Sequence, residues 1–149
     1  MGRPSFARLW ALYPTNIDPS NRTPCNGPWG NQCAIRMSIC LNAEKSIQIN
    51  STTYSEPKCS HGHARGAESL ANWLWKNHLR RPKIYLDGKT AKTDIKVKTG
   101  IIFFKDCFTR SGETRAVGDH IDLWNKEKET ATYNDPRNAA QQIWFWELN

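Results

Sequence analysis

The sequence predicts an α+β fold in which an antiparallel sheet packs against a helix that begins with a cysteine. Two observations carry this. As far as His78 the apolar residues recur at helical spacing, whereas from Ile84 onward the signal becomes short runs rich in β-branched and aromatic residues. Helices first and strands afterwards indicate segregated elements, not alternating βαβ units. At 149 residues the chain is long enough to bury a core. No repeat, low-complexity segment or linker divides it, so residues 1–149 are expected to form one domain.

The first predicted element is a short helix in SFARLWALYP, where Phe6, Leu9, Trp10 and Tyr13 keep helical spacing up to Pro14. Residues from Thr15 to Gly30 are rich in Asn, Pro, Ser and Gly and read as a surface loop. Gly27, Pro28 and Gly30 then break the chain, Asn31 is a good N-cap, and the apolar run from Cys33 to Leu41 follows as a buried helix. The stretch from Asn42 to Gly66 reads as irregular. A second helix is expected from Ala67 to His78, with Leu70, Trp73 and Leu74 on one face and Pro82 beyond its end. Strands are expected at Ile84–Leu86, Gly100–Phe104, His120–Trp124 and Ile143–Leu148.

Lys and Arg exceed Asp and Glu by 21 − 14 = 7, so the chain is basic and suited to anionic partners: nucleic acid, an acidic membrane surface or an anionic cell-wall polymer. No apolar run approaches the roughly 18 residues of a membrane span, and MGRPSFARLWALYP lacks the apolar core of a signal peptide. The chain is therefore expected to be cytosolic or to leave the cell without a cleaved signal. Seven tryptophans on a basic protein suggest stacking platforms for nucleic acid. Trp73, Trp124, Trp144 and Trp146 fall at core positions, however, and no nucleic-acid motif accompanies them.

Cys33 falls in the first turn of its helix, where unpaired N–H groups and the helix dipole stabilise a thiolate. A buried structural thiol is the plainer reading of such a cysteine. A nucleophile needs a histidine base from elsewhere in the chain, and GDHIDLWN supplies His120 on a predicted strand. Of five cysteines one is odd if disulfides form, and Cys33 is the candidate to stay free. Cys33 and Cys40 lie about 10 Å apart along one helix, too far to bridge. Cys25, Cys40, Cys59 and Cys107 remain as possible pairs. Cys59, His61 and His63 are zinc-ligand types, but their spacing matches no common finger, so no metal or other cofactor is expected and the tract reads as a loop. His78, beside Arg80 and Arg81, reads as a surface or helix-end charge. Arg36 in the apolar helix is expected to pair with an acidic residue inside the fold, the alternative being to face solvent or the groove, and Trp29 to line a substrate groove beside Cys33.

Four tracts, GRPSFARLW, NQCAIRMS, GDHIDLWN and IWFWEL, occur in an order that resembles the type VI secretion amidase effectors of family 4. Those are papain-like cysteine peptidases of the NlpC superfamily. The resemblance implies an antibacterial toxin delivered by the type VI machinery into the periplasm of a competitor. There it would cut a peptidoglycan stem peptide, typically between γ-D-glutamate and meso-diaminopimelate, and a cognate immunity protein would block its active site. It further implies that Cys33 attacks the amide carbonyl and His120 moves the proton. At the position where family members carry an aspartate to orient the histidine, this chain has Ala131. Asp122 shares a strand face with His120 and is the expected third residue; Asp135, next to Asn134, is the alternative should the NKEKET loop be long. Membrane and nucleic-acid partners are not expected. The competing readings are a basic wall-binding or nucleic-acid-binding module with a structural Cys33, and a cysteine hydrolase or transferase acting on a protein amide.

Overall fold

Ser5 opens the first helix, α1 (Phe6–Leu12), by accepting a hydrogen bond from the Arg8 N–H, and the helix buries Phe6 and Leu9. The computed structural model describes residues 3–25, 32–108, 118–126 and 140–149. Pro14 does not simply end the helical segment. It begins a one-turn helix, α2 (Pro14–Ile17), at the position where its missing N–H costs nothing, so the loop expected from Thr15 starts later.

The cysteine helix is α3 (Cys33–Glu44), and it ends on Lys45 in the left-handed conformation, φ 85°, with the Lys45 N–H bonded to the Leu41 carbonyl. Its N-cap position is held by Gln32, whose side chain makes no cap bond. The expected cap, Asn31, lies outside the described residues. Nearly every residue from Cys33 to Leu41 is buried, Arg36 and Ser38 included. Ser38 is accommodated by donating its hydroxyl to the Ala34 carbonyl while accepting the Ala64 N–H.

The second expected helix divides. α4 (Ala67–Leu74) is α-helical, but Trp75–Leu79 continues as a π turn. The wider turn accompanies two tertiary contacts: Trp75 meets Trp144 edge-on with ring centroids 5.2 Å apart, and the carbonyl of Arg80 accepts from Trp146 Nε1 at 2.9 Å. His78 is not an exposed helix-end charge. Its ring packs on Trp73 at 4.6 Å, and burial lowers its pKa.

The strands are β1 (Lys83–Tyr85), β2 (Thr99–Phe108), β3 (Gly118–Asn125) and β4 (Gln142–Glu147), close to expectation, in one sheet of order β1-β4-β2-β3. All three pairings are antiparallel. Between β1 and β2 lies α5 (Gly88–Asp94), a polar helix with no apolar stripe for periodicity to detect, capped by the Asp87 carboxylate accepting from the Thr90 N–H at 2.7 Å. Strand alternation divides the core. Ile101, Phe103, Ile121 and Leu123 join the larger cluster with α1, α3 and α4, while Ile102, Phe104 and Trp124 join a second. The helix α3 lies against β3, an outer strand.

At Gly100 the backbone of β4 lies tight against β2. A Cβ there would stand 2.0 Å from the Trp146 carbonyl oxygen, so only glycine fits.

Candidate active site

Packing α3 along β3 brings the start of the helix to His120. Cys33 is buried at that start, and its thiol hydrogen-bonds the imidazole. His120 pairs with Phe104 across the β2–β3 ladder and stacks on its ring at 6.2 Å with an interplanar angle of 18°. On the same strand face Asp122 holds His120 Nε2 at 2.9 Å from its Oδ2. The other carboxylate oxygen accepts the Leu123 N–H at 2.7 Å. With Nε2 committed to the carboxylate, Nδ1 is the nitrogen left for Cys33.

Burial would push the Cys33 thiol up. The neighbouring His120, an Ile121 backbone hydrogen bond and the charge of Arg36 outweigh it and leave the thiol below its ordinary value. Burial likewise pushes His120 down, but the Asp122 carboxylate and the Cys33 sulfur raise it to about 9. Both shifts favour one state, a thiolate beside an imidazolium. Asp122 is fully buried, so this carboxylate is not a solvated strand residue. The other two central cysteines differ: burial carries Cys40 well above, and Cys107 to about 12.

Arg36 is buried, but where an acidic partner was expected the Tyr13 hydroxyl and the Arg22 carbonyl are among the groups it bonds. Its charge faces the start of the same helix, which lowers Cys33 further. Trp29, Ala131, Asn134 and Asp135 lie outside the described residues. All five cysteines are free thiols, so none of the disulfides considered for Cys25, Cys40, Cys59 and Cys107 is formed; Cys25 and Cys59 do come together.

Two features beside the site escaped the sequence. Gln32 brackets the backbone of Cys25, accepting its N–H at 2.9 Å and donating to its carbonyl at 2.7 Å. A polar residue next to a cysteine gives no hint of so distant a partner. The second is an irregularity in β2 between Phe104 and Phe108, just beyond the pairing that fixes His120. There Asp106 takes φ 53° and donates its N–H to the Asp119 carboxylate at 2.8 Å, tying down the residue before His120. Aspartate tolerates the left-handed region better than most residues, but no turn signal marks a bulge inside an apolar strand.

No curated protein sequence matches the chain. Among solved structures, the effector–immunity system Tae4/Tai4 from Salmonella typhimurium superposes with a TM-score of 0.69 at 22% identity, covering 99% of this chain and 100% of that one. The type VI effector Tae4 from Enterobacter cloacae gives a TM-score of 0.69 at 20% identity, over 99% of this chain and 98% of that one. At such identities the likeness establishes the shared fold. Over residues 29–146 the sequence itself matches the family described as type VI secretion system (T6SS), amidase effector protein 4, and with this span covering most of its length the chain belongs to that family of amidase effectors.

Proposed function

We propose that this amidase effector is a cysteine peptidase that hydrolyses the peptidoglycan stem peptide at the bond between γ-D-glutamate and meso-diaminopimelate. Cys33 is the nucleophile, His120 the general base and then acid, and Asp122 the residue that orients the imidazole. The observation that carries the reading is the buried relay in which Asp122 bonds His120 at 2.9 Å and His120 bonds Cys33.

The thiolate adds to the amide carbonyl, and the negative charge passes to the carbonyl oxygen, where N–H groups at the start of α3, that of Cys33 among them, stabilise it. His120, protonated and raised to about 9, gives its proton to the departing amine as the C–N bond breaks. A thioester on Cys33 remains. Water then attacks it, His120 takes the water's proton, and the thiolate leaves as the free acid forms. Asp122, bonded to Nε2, keeps Nδ1 aimed at sulfur and substrate.

The chain acts as one domain in the periplasm of the target cell, and an immunity protein protects the producer by covering the site, as Tai4 accompanies Tae4 in the similar structures. Its net charge of +7 favours residence on an anionic wall. A digest of purified peptidoglycan fragments, read by mass spectrometry, tests the proposal. Wild type releases products split between D-glutamate and diaminopimelate, and Cys33→Ala releases none. Intact fragments with both proteins would reject the bond, and equal cleavage by both would reject the nucleophile.

A further inference from the structure

Outside the active site the described residues bring two thiols and two imidazoles together on the far side of Gln32. Cys25 Sγ lies 3.2 Å from His61 Nδ1, although the residues are 36 positions apart in the chain. Cys59 Sγ lies 3.7 Å from His63 Nδ1. The two sulfurs and a ring nitrogen of His61 all fall within 4.8 Å of one another. Zinc held by sulfur at about 2.3 Å and imidazole nitrogen at about 2.0–2.1 Å in a tetrahedron sets neighbouring ligand atoms roughly 3.4–3.8 Å apart. The Cys25–His61 separation of 3.2 Å falls just short of that interval and the Cys59–His63 separation of 3.7 Å falls inside it.

The scaffold is built to hold such ligands. Residues 58–64 fold back on themselves through a Lys58–Ala64 bridge, with the Cys59 N–H bonded to the His63 carbonyl and the Gly62 N–H to the Cys59 carbonyl. Gly62 takes φ 84°, a conformation most side chains resist, which turns the tract so that Cys59, His61 and His63 come from one tight loop. The buried thiols of Cys25 and Cys59 pack against Ile35, so one side of the cluster is apolar and dry. We propose that Cys25, Cys59 and His61 bind a zinc ion as its three protein ligands, with His63 beside the cluster at 3.7 Å from Cys59 Sγ. The spacing from Cys59 to His63 fits no common zinc motif because the second thiolate comes from the chain before α3, which no local pattern can reveal.

The chemistry favours this occupant. Two thiolates and imidazole are borderline-soft donors suited to zinc, and Cys25, Cys59 and His61 supply that set within one small cluster. Bound metal would fix Cys25, and through the Gln32 bracket it would fix the residue that leads into Cys33.

The test uses the whole protein, purified under reducing, air-free conditions. Elemental analysis is expected to find about one zinc per chain, and exchange into cobalt(II) to give the visible bands of a tetrahedral site with a near-ultraviolet thiolate-to-cobalt band. Cys25→Ser, Cys59→Ser and His61→Ala each lose the metal and those bands, while Cys40→Ser keeps both. The cobalt spectrum of wild type needs no variant to fold. Absence of zinc together with an octahedral cobalt spectrum would overturn the proposal, as would a Cys25–Cys59 disulfide found by non-reducing mass spectrometry in the air-free protein.

Discussion

Replacing Asp122 with Asn keeps its size and removes its charge, and the surroundings determine the outcome. One oxygen accepts the Leu123 N–H at 2.7 Å and the other holds His120 Nε2 at 2.9 Å, both in complete burial. An Asn has a single carbonyl. If it serves Leu123, the NH2 group faces Nε2, which must then be unprotonated, and the imidazole proton moves to Nδ1, where it obstructs the transfer from Cys33. If it serves His120, two donors face each other at Leu123. The rise of His120 from 6.5 to about 9 corresponds to roughly 3 kcal/mol in favour of the imidazolium, shared between Asp122 and Cys33. Losing the charge and inverting the tautomer should lower kcat/KM about 100- to 10,000-fold, by analogy with the same change in a serine-protease triad. The assay is the rate of fragment release across pH, with circular dichroism to confirm folding. Activity within about threefold of wild type and an unchanged pH profile would refute the reasoning, and a large loss in Asp135→Ala would then identify the true partner.

Iodoacetamide at neutral pH should label Cys33 before Cys40 and Cys107, because its thiol is lowered and theirs are raised; equal rates by peptide mapping would contradict that order. Turnover should fall as pH rises past about 9, where His120 loses the proton destined for the leaving amine, and a plateau beyond pH 10 would exclude His120 as the acid. Stability should show a compensation. Relative to the unfolded chain the folded state gains a proton on His120, whose pKa is raised, and loses one on Cys33, whose pKa is lowered, so the two slopes oppose each other. In Cys33→Ala only the His120 contribution remains. It is complete below 6.5 and lost as pH rises through the variant's own folded value, so urea midpoints of the variant should decline relative to wild type with rising pH. Gly100→Ala should cost at least about 2 kcal/mol or prevent folding, since the new Cβ meets backbone and not a movable side chain; a near-native urea midpoint would contradict the close approach.

Much of this site was legible because it depends on local rules. A breaker-rich turn before an apolar run located Cys33 at a helix start, and strand alternation put Asp122 on the face of His120. What was not legible depends on distant partners. Gln32 finds Cys25, Arg36 finds Tyr13 and the Arg22 carbonyl, and Cys25 finds His61, none of which periodicity can encode. The π turn after Leu74 and the bulge at Asp106 are likewise answers to packing: the same residues in isolation favour a regular helix and a regular strand. α5 was hidden for the opposite reason, since a polar helix held by one aspartate cap has too little apolar content to show a period.

The burial of His120 and Asp122 sets this protein's capacity to evolve against its capacity to kill. A buried ion pair replaced by well-packed apolar residues of similar volume commonly leaves a fold as stable or more so, by about 1–4 kcal/mol. Drift under selection for expression alone would therefore erase this pair early, leaving an inert fold that still matches the family along its length. On the role proposed for the pair, its persistence in a lineage is a record of continued use as a weapon, which the helices and the sheet around it, kept for folding alone, cannot supply.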